Sequence, residues 1–336
     1  MPALLEIRER LRVFYSKYTL YIVSVLKFIA ALVVLFLLNS QIGSMEQLMS
    51  PLIVVIAALF CSFMPVNTTV LVAAVFALGH IYNASLELAI IAVMLFLVMF
   101  LLYCRFVPKD AYILLLLPVL FVMKIPYVMP LVVGLLATPV SAVSVICGVI
   151  IYYVIEITKA SSTILAGAPE GDIVARLQLL LDAIVNNKEM VLIIIAFAAT
   201  VVITYLIRRL SVDYAWYIAI GVGALSDMVI LLAGDFMMNV SNEILPMVIG
   251  TLVSILVCIV VQFLFFSVDY SGTEHVQYED DEYYYYVKAV PKVTVSTAKK
   301  TVRTINEKKP QARRSNTQYQ RTTNVNHLRN NSRERD

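Results

Sequence analysis

The stretch LPMVIGTLVSILVCIVVQFLFFS, residues 245–267, decides the fold class, because it carries no charged side chain over its whole length. A bilayer's hydrocarbon core is about 30 Å thick, and a helix rising about 1.5 Å per residue needs roughly 20 residues to cross it. No water is present there to pair backbone N–H and C=O groups, so a helix is the form such a run must take. Five more runs reach spanning length: 20–39, 86–104, 138–157, 190–207 and 211–233. Four are shorter: Pro51–Phe63, Val70–Tyr82, Ala111–Met123 and Val128–Leu136. The expected fold is all-α, a polytopic transmembrane helix bundle of about ten apolar segments.

Composition agrees. Of 336 residues, 60% are apolar and 15% charged, and the mean hydropathy is +0.84. A soluble domain is about 45–50% apolar and about 25% charged. A soluble enzyme or nucleic-acid-binding domain is thereby excluded as the main body. Residues 1–267 hold 13 Lys/Arg against 14 Asp/Glu, whereas residues 268–336 hold 13 against 9. Three regions follow: an amphipathic interfacial helix over 1–19, a membrane body over 20–267, and a cytoplasmic, largely disordered tail over 268–336. In the first, Leu4, Ile7, Leu11 and Phe14 share one helical face. Cys61, Cys104, Cys147 and Cys258 are scattered in or beside apolar runs, so neither a disulfide framework nor a metal site is expected.

Basic residues in short loops mark the cytoplasmic side. Arg8, Arg10, Arg12 and Lys17 precede the first span, and with ten crossings Arg105, Lys109, Arg208 and Arg209 fall on that same side. Lys124, Lys159, Arg176 and Lys188 fall opposite. This asymmetry predicts a multi-pass plasma-membrane protein with both termini cytoplasmic. It does not distinguish two short crossings from one re-entrant hairpin. The order short, break, short, long occurs over 51–104 and again over 111–157, the second unit starting from the opposite side. That is the pattern of a 3+3 inverted repeat, whose broken helices point to a transporter's binding site. The break residues are Pro65, Asn67, Thr68 and Thr69 in the first unit, and Pro126, Tyr127 and Pro130 in the second. In the outer loop, Asp172 is placed to cap a helix with Ile173, Leu177, Leu181 and Ile184 on one side.

Ionisable residues at membrane depth are costly and mark function by default. Asp227 leads, in Gly221-Val222-Gly223-Ala224-Leu225-Ser226-Asp227, where it can carry a proton or cation, or be half of a buried pair. Lys27 either snorkels to the cytoplasmic face or pairs with Asp227. Lys124 lies in the second break, placed to attract an anion or to face water. His80 reads as a proton relay or as a hydrogen-bonded structural residue. P-loop, HExxH and GxSxG motifs and paired carboxylates within one span are missing, so neither an enzyme nor a cofactor is expected. If ATP drives the protein, a separate ATPase subunit must bind it.

In the tail, Tyr283, Tyr284, Tyr285 and Tyr286 follow an acidic run, and Val287–Val295 alternates like a strand able to dock on a partner's sheet edge. From Lys288 onward 13 Lys/Arg face Glu307, Glu334 and Asp336. Such a segment is drawn to anionic lipid; RNA or DNA is disfavoured, since no nucleic-acid-binding fold accompanies the charge. The run DDEYYYYVKAVPK, residues 280–292, resembles one found in poorly characterised polytopic membrane proteins of Gram-positive bacteria, some labelled ABC-transporter permeases. The resemblance covers that run only, and no EAA-type coupling loop accompanies it. The reading is a carrier or permease for a small solute or ion. The alternative is a membrane-anchored scaffold whose tail recruits a cytoplasmic partner. Homo-oligomers suit either.

Overall fold

The computed structural model describes residues 2–167, 172–239, 244–265 and 274–290. The chain runs α1 (Pro2–Gln41), the one-turn α2 (Glu46–Met49), α3 (Pro51–Phe63), α4 (Val66–Ala84), α5 (Leu86–Phe106), α6 (Ala111–Val122), α7 (Val128–Leu136), α8 (Ala142–Leu165), α9 (Ile173–Val185), α10 (Lys188–Arg208), α11 (Ala215–Met238) and α12 (Ile244–Phe265). Two strands follow, β1 (Glu274–Glu279) and β2 (Tyr284–Ala289). Among the described residues seven helical segments are long and apolar enough to cross a membrane: α1, α4, α5, α8 with the turn before it, α9 continued by α10, α11 and α12. The protein is a membrane-embedded helical bundle.

Three departures from the sequence reading have physical causes. First, the run Val70–Tyr82 is not short. Pro65 stands at the N-cap position of α4, and Asn67, Thr68 and Thr69 form its first turns rather than a break. Polar residues are tolerated there because the first N–H groups of a helix lack intrahelical partners anyway. Consequently α4 has 19 residues and its counterpart α7 only 9, so the two proposed repeats differ in length at this position. Second, the fold is not purely α, because β1 and β2 form an antiparallel hairpin with Tyr278 opposite Tyr285 and Val276 opposite Val287. The strand lies over 284–289 rather than 287–295, and residues 291–336 lie outside the described residues. Third, the outer-loop helix α9 buries Leu180 and Ile184 while Ile173 and Leu181 stay exposed, so its packed face is rotated from the expected one. Asp172 caps it as expected, accepting from the N–H groups of Val174 and Ala175.

Antiparallel packing puts loops at two opposite faces. The Lys27 ammonium donates to the Met64 carbonyl at 3.1 Å and the Ser62 hydroxyl to the Ser24 carbonyl at 2.8 Å. At the other end of the same pair, the Asn39 amide donates to the Leu48 carbonyl at 2.8 Å. α3 and α4 therefore make a hairpin whose tip, Met64–Pro65, reaches the level of Lys27. The Tyr103 hydroxyl bridges Asn67 and the Pro108 carbonyl there. α6 and α7 make a second hairpin, tipped by Met123–Tyr127, with Lys124 in the left-handed region at φ 61°. Its tip rests on Gly250 of α12, where an added Cβ would lie 2.7 Å from the Tyr127 ring. At the far end of α7, Arg208 of α10 donates to the carbonyls of Leu135 and Ala137. α1 is bent at Tyr18, where φ is −117° and ψ 23°, and Arg8 before the bend donates to the Leu264 carbonyl near the end of α12.

Candidate functional site

Asp227 is the thirteenth residue of α11, about 18 Å along a helix of 24 residues. It is 1% exposed. The Thr200 hydroxyl of α10 donates to one carboxylate oxygen at 3.1 Å. The other oxygen is buried without a hydrogen-bond partner among the described residues, as is the hydroxyl of Thr204 one turn further along α10. α10 and α11 come this close because Gly223 offers no side chain: a Cβ there would lie 2.8 Å from Leu131 of α7 and nearer still to Thr204. Ser226, also a candidate, turns its hydroxyl back onto the Gly223 carbonyl at 2.8 Å and is occupied within its own helix.

Above Asp227, toward the face that carries α9, lies a cavity of about 230 Å³. Leu231, one helical turn beyond Asp227, lines it together with Lys124, Tyr127, Tyr152, Tyr153 and Glu189. The Tyr127 ring sits edge-on to Phe197 with centroids 6.1 Å apart. A polar vestibule with one lysine, one glutamate and three tyrosines therefore opens one turn from a buried carboxyl. Asp227 itself does not line the cavity, since buried Leu231 stands between them; a buried carboxyl with one oxygen lacking a hydrogen-bond partner among the described residues can hold a proton.

The remaining sequence candidates are elsewhere. Lys27 caps α3 through Met64 and is not brought to Asp227, so the expected alternative of an ion pair between them is not formed. His80 is 0% exposed; one ring nitrogen lies 2.7 Å from the Asn39 side-chain oxygen, and the other accepts from the Met45 N–H at 3.2 Å. Both ring nitrogens are thus engaged in holding the loop after α1 onto α4, which is the structural role. Pro65, Asn67, Thr68 and Thr69 belong to the α3–α4 hairpin, away from the vestibule. Pro126 and Tyr127 line the vestibule, and Pro130 is buried in α7. Tyr283 to Tyr286 lie in the tail hairpin: Tyr285 stacks on Tyr278 at 4.8 Å between centroids, whereas Tyr284 and Tyr286 are 68% and 78% exposed. No group of three or more His, Cys, Asp or Glu side chains suited to a metal occurs among the described residues.

Thr200, Tyr152, Tyr153 and Glu189 are the site residues that sequence reasoning missed. Threonine and tyrosine are ordinary in membrane helices, and only Glu189 in the first turn of α10 carried a signal. Compared with family models, curated proteins and solved structures, the chain matches none.

Proposed function

We propose that the protein is a membrane carrier or permease for a small solute or ion, working through Asp227. The observation that carries the reading is the buried Asp227 carboxylate, which has one oxygen on Thr200 and one without a partner. It lies a turn below a polar vestibule. Leaving a carboxylate in a bilayer costs about 2.5–3.5 kcal/mol on insertion scales, so an unneeded one is easily lost. The two hairpins, tipped toward opposite faces, support an inverted arrangement of 51–104 and 111–157, with the tips rather than equal lengths as the shared feature. The eight-to-four distribution of basic residues supports a plasma-membrane orientation with cytoplasmic termini. In that orientation the vestibule opens outward. An ATP-driven cycle would take its ATPase from a separate subunit.

The test is Asp227→Asn, which keeps shape and hydrogen bonding but cannot ionise. Purified and reconstituted in liposomes, the variant should melt near wild type and lose ion- or pH-dependent flux. A stable variant with unchanged flux would remove Asp227 from the mechanism.

One observation favours a second reading. The tail hairpin has open strand edges and exposes Tyr284 and Tyr286, as a scaffold that recruits a cytoplasmic partner by strand addition would. The basic segment after it would then hold the tail to anionic lipid.

A further inference from the structure

A second cavity, of about 340 Å³, lies on the other side of α8 from the vestibule. Leu38 of α1, Ala74 of α4, Phe96 and Phe100 of α5, Pro118 of α6 and Ile155 of α8 are among its walls, which are almost wholly apolar. The stacked rings of Phe121 and Tyr152, 4.2 Å apart, stand between the two cavities. Charged groups occur at one end only. There Lys159 contacts Glu156 at 2.7 Å and hydrogen-bonds to Gln41, the last residue of α1. That end is therefore at the membrane–water boundary. From Lys159 to Ile151, which also lines the cavity, α8 descends eight residues, about 12 Å.

We propose that this chamber binds one membrane phospholipid, with an acyl chain inside it and the phosphate on Lys159. Dry apolar walls offer a polar solute nothing, whereas a hydrocarbon chain restores the dispersion contacts that an unfilled space forfeits. The surrounding helices α1, α4, α5 and α8 have spanning length, so the medium at the opening is lipid itself. An ammonium has three donors. Glu156 and Gln41 take two, which leaves one for a phosphate oxygen.

The experiment uses the full chain, delipidated in detergent and returned to vesicles of phosphatidylglycerol and phosphatidylcholine. Lipid retained after re-extraction is counted by native mass spectrometry. Wild type should keep one phospholipid per chain. Ala74→Phe, which fills the chamber, should keep at least tenfold less. Lys159→Gln should keep several-fold less lipid, phosphatidylglycerol and phosphatidylcholine alike, since both carry the phosphate that loses its donor. Inorganic phosphate should not displace the lipid, since the chain supplies the fit. Should Ala74→Phe melt well below wild type, Val93→Phe at the chamber wall replaces it. Retention by the filling variant equal to wild type, or a wild type without a retained lipid, overturns the proposal.

Discussion

At the scale of single residues, chemistry separates side chains that the sequence presents as equals. Asp227 and His80 are both ionisable and both in apolar runs. His80 has a partner on each ring nitrogen, and Asp227 has an oxygen with none. His80→Leu should therefore leave the Asn39 side-chain oxygen and the Met45 N–H unpaired, at about 1–3 kcal/mol for each group out of water's reach. A lower melting temperature with normal transport is expected; an unchanged melting curve would refute the structural role. The two glycines before Asp227 should also behave differently. Gly221→Ala meets nothing within 4 Å and should be neutral or gain up to about 1 kcal/mol from helix propensity. Gly223→Ala runs into Thr204 and Leu131 and should lose about 1–3 kcal/mol. Equal melting temperatures for the two variants would contradict the close approach of α10 and α11. Asp227 was legible because it stands deep in the apolar run, whereas Asp213 and Asp235 fall near its ends. Thr200 was not, because its contribution exists only once α10 lies beside α11.

At the scale of elements, the tail hairpin is held by its turn. The N–H groups of Glu282 and Tyr283 donate to Asp280 at 3.0 and 2.7 Å, and the Tyr285 hydroxyl donates at 2.9 Å. These donors favour the ionised carboxyl and hold its pKa below that of an ordinary aspartate. The folded value is depressed, so the contribution is complete above the ordinary aspartate range and is lost as pH falls through the lower folded value. Hydrogen exchange at the Glu282 and Tyr283 amides, corrected for intrinsic rates, should show protection near neutrality that disappears on acidification. Equal protection of both amides in Asp280→Ala near neutrality would sink this account. The elements most poorly read from sequence were those with polar residues near an apolar run. Asn67, Thr68 and Thr69 look like a break until Pro65 is seen as the start of α4. The hairpin escaped notice because Val276 and Tyr278 gain meaning only opposite Val287 and Tyr285.

At the scale of the whole molecule, six of the seven long helices among the described residues were legible because bilayer thickness sets their length, whereas α4 was read as a short run and the expected ten segments are not found. Which helix lies beside which was not legible. Helices in lipid are apolar on every face, so no period in the sequence marks the packed side. Thus the two hairpins emerge from contacts such as Lys27 with Met64 and Arg208 with Leu135, not from composition. Orientation is testable directly. Single cysteines at Asn187 and Asn316 in a cysteine-free background should react with a membrane-impermeant reagent from opposite sides of the membrane. Reaction of both from one side would overturn the orientation and the outward-facing vestibule with it.

The hydrogen bond from Arg8 to the Leu264 carbonyl joins residues 256 positions apart. A ribosome adding about 5–20 residues per second takes roughly 13–50 s to travel that distance. Throughout that interval the start of the chain is made and its closing partner is not. The contact therefore waits for α12, and a chain truncated before that helix lacks it.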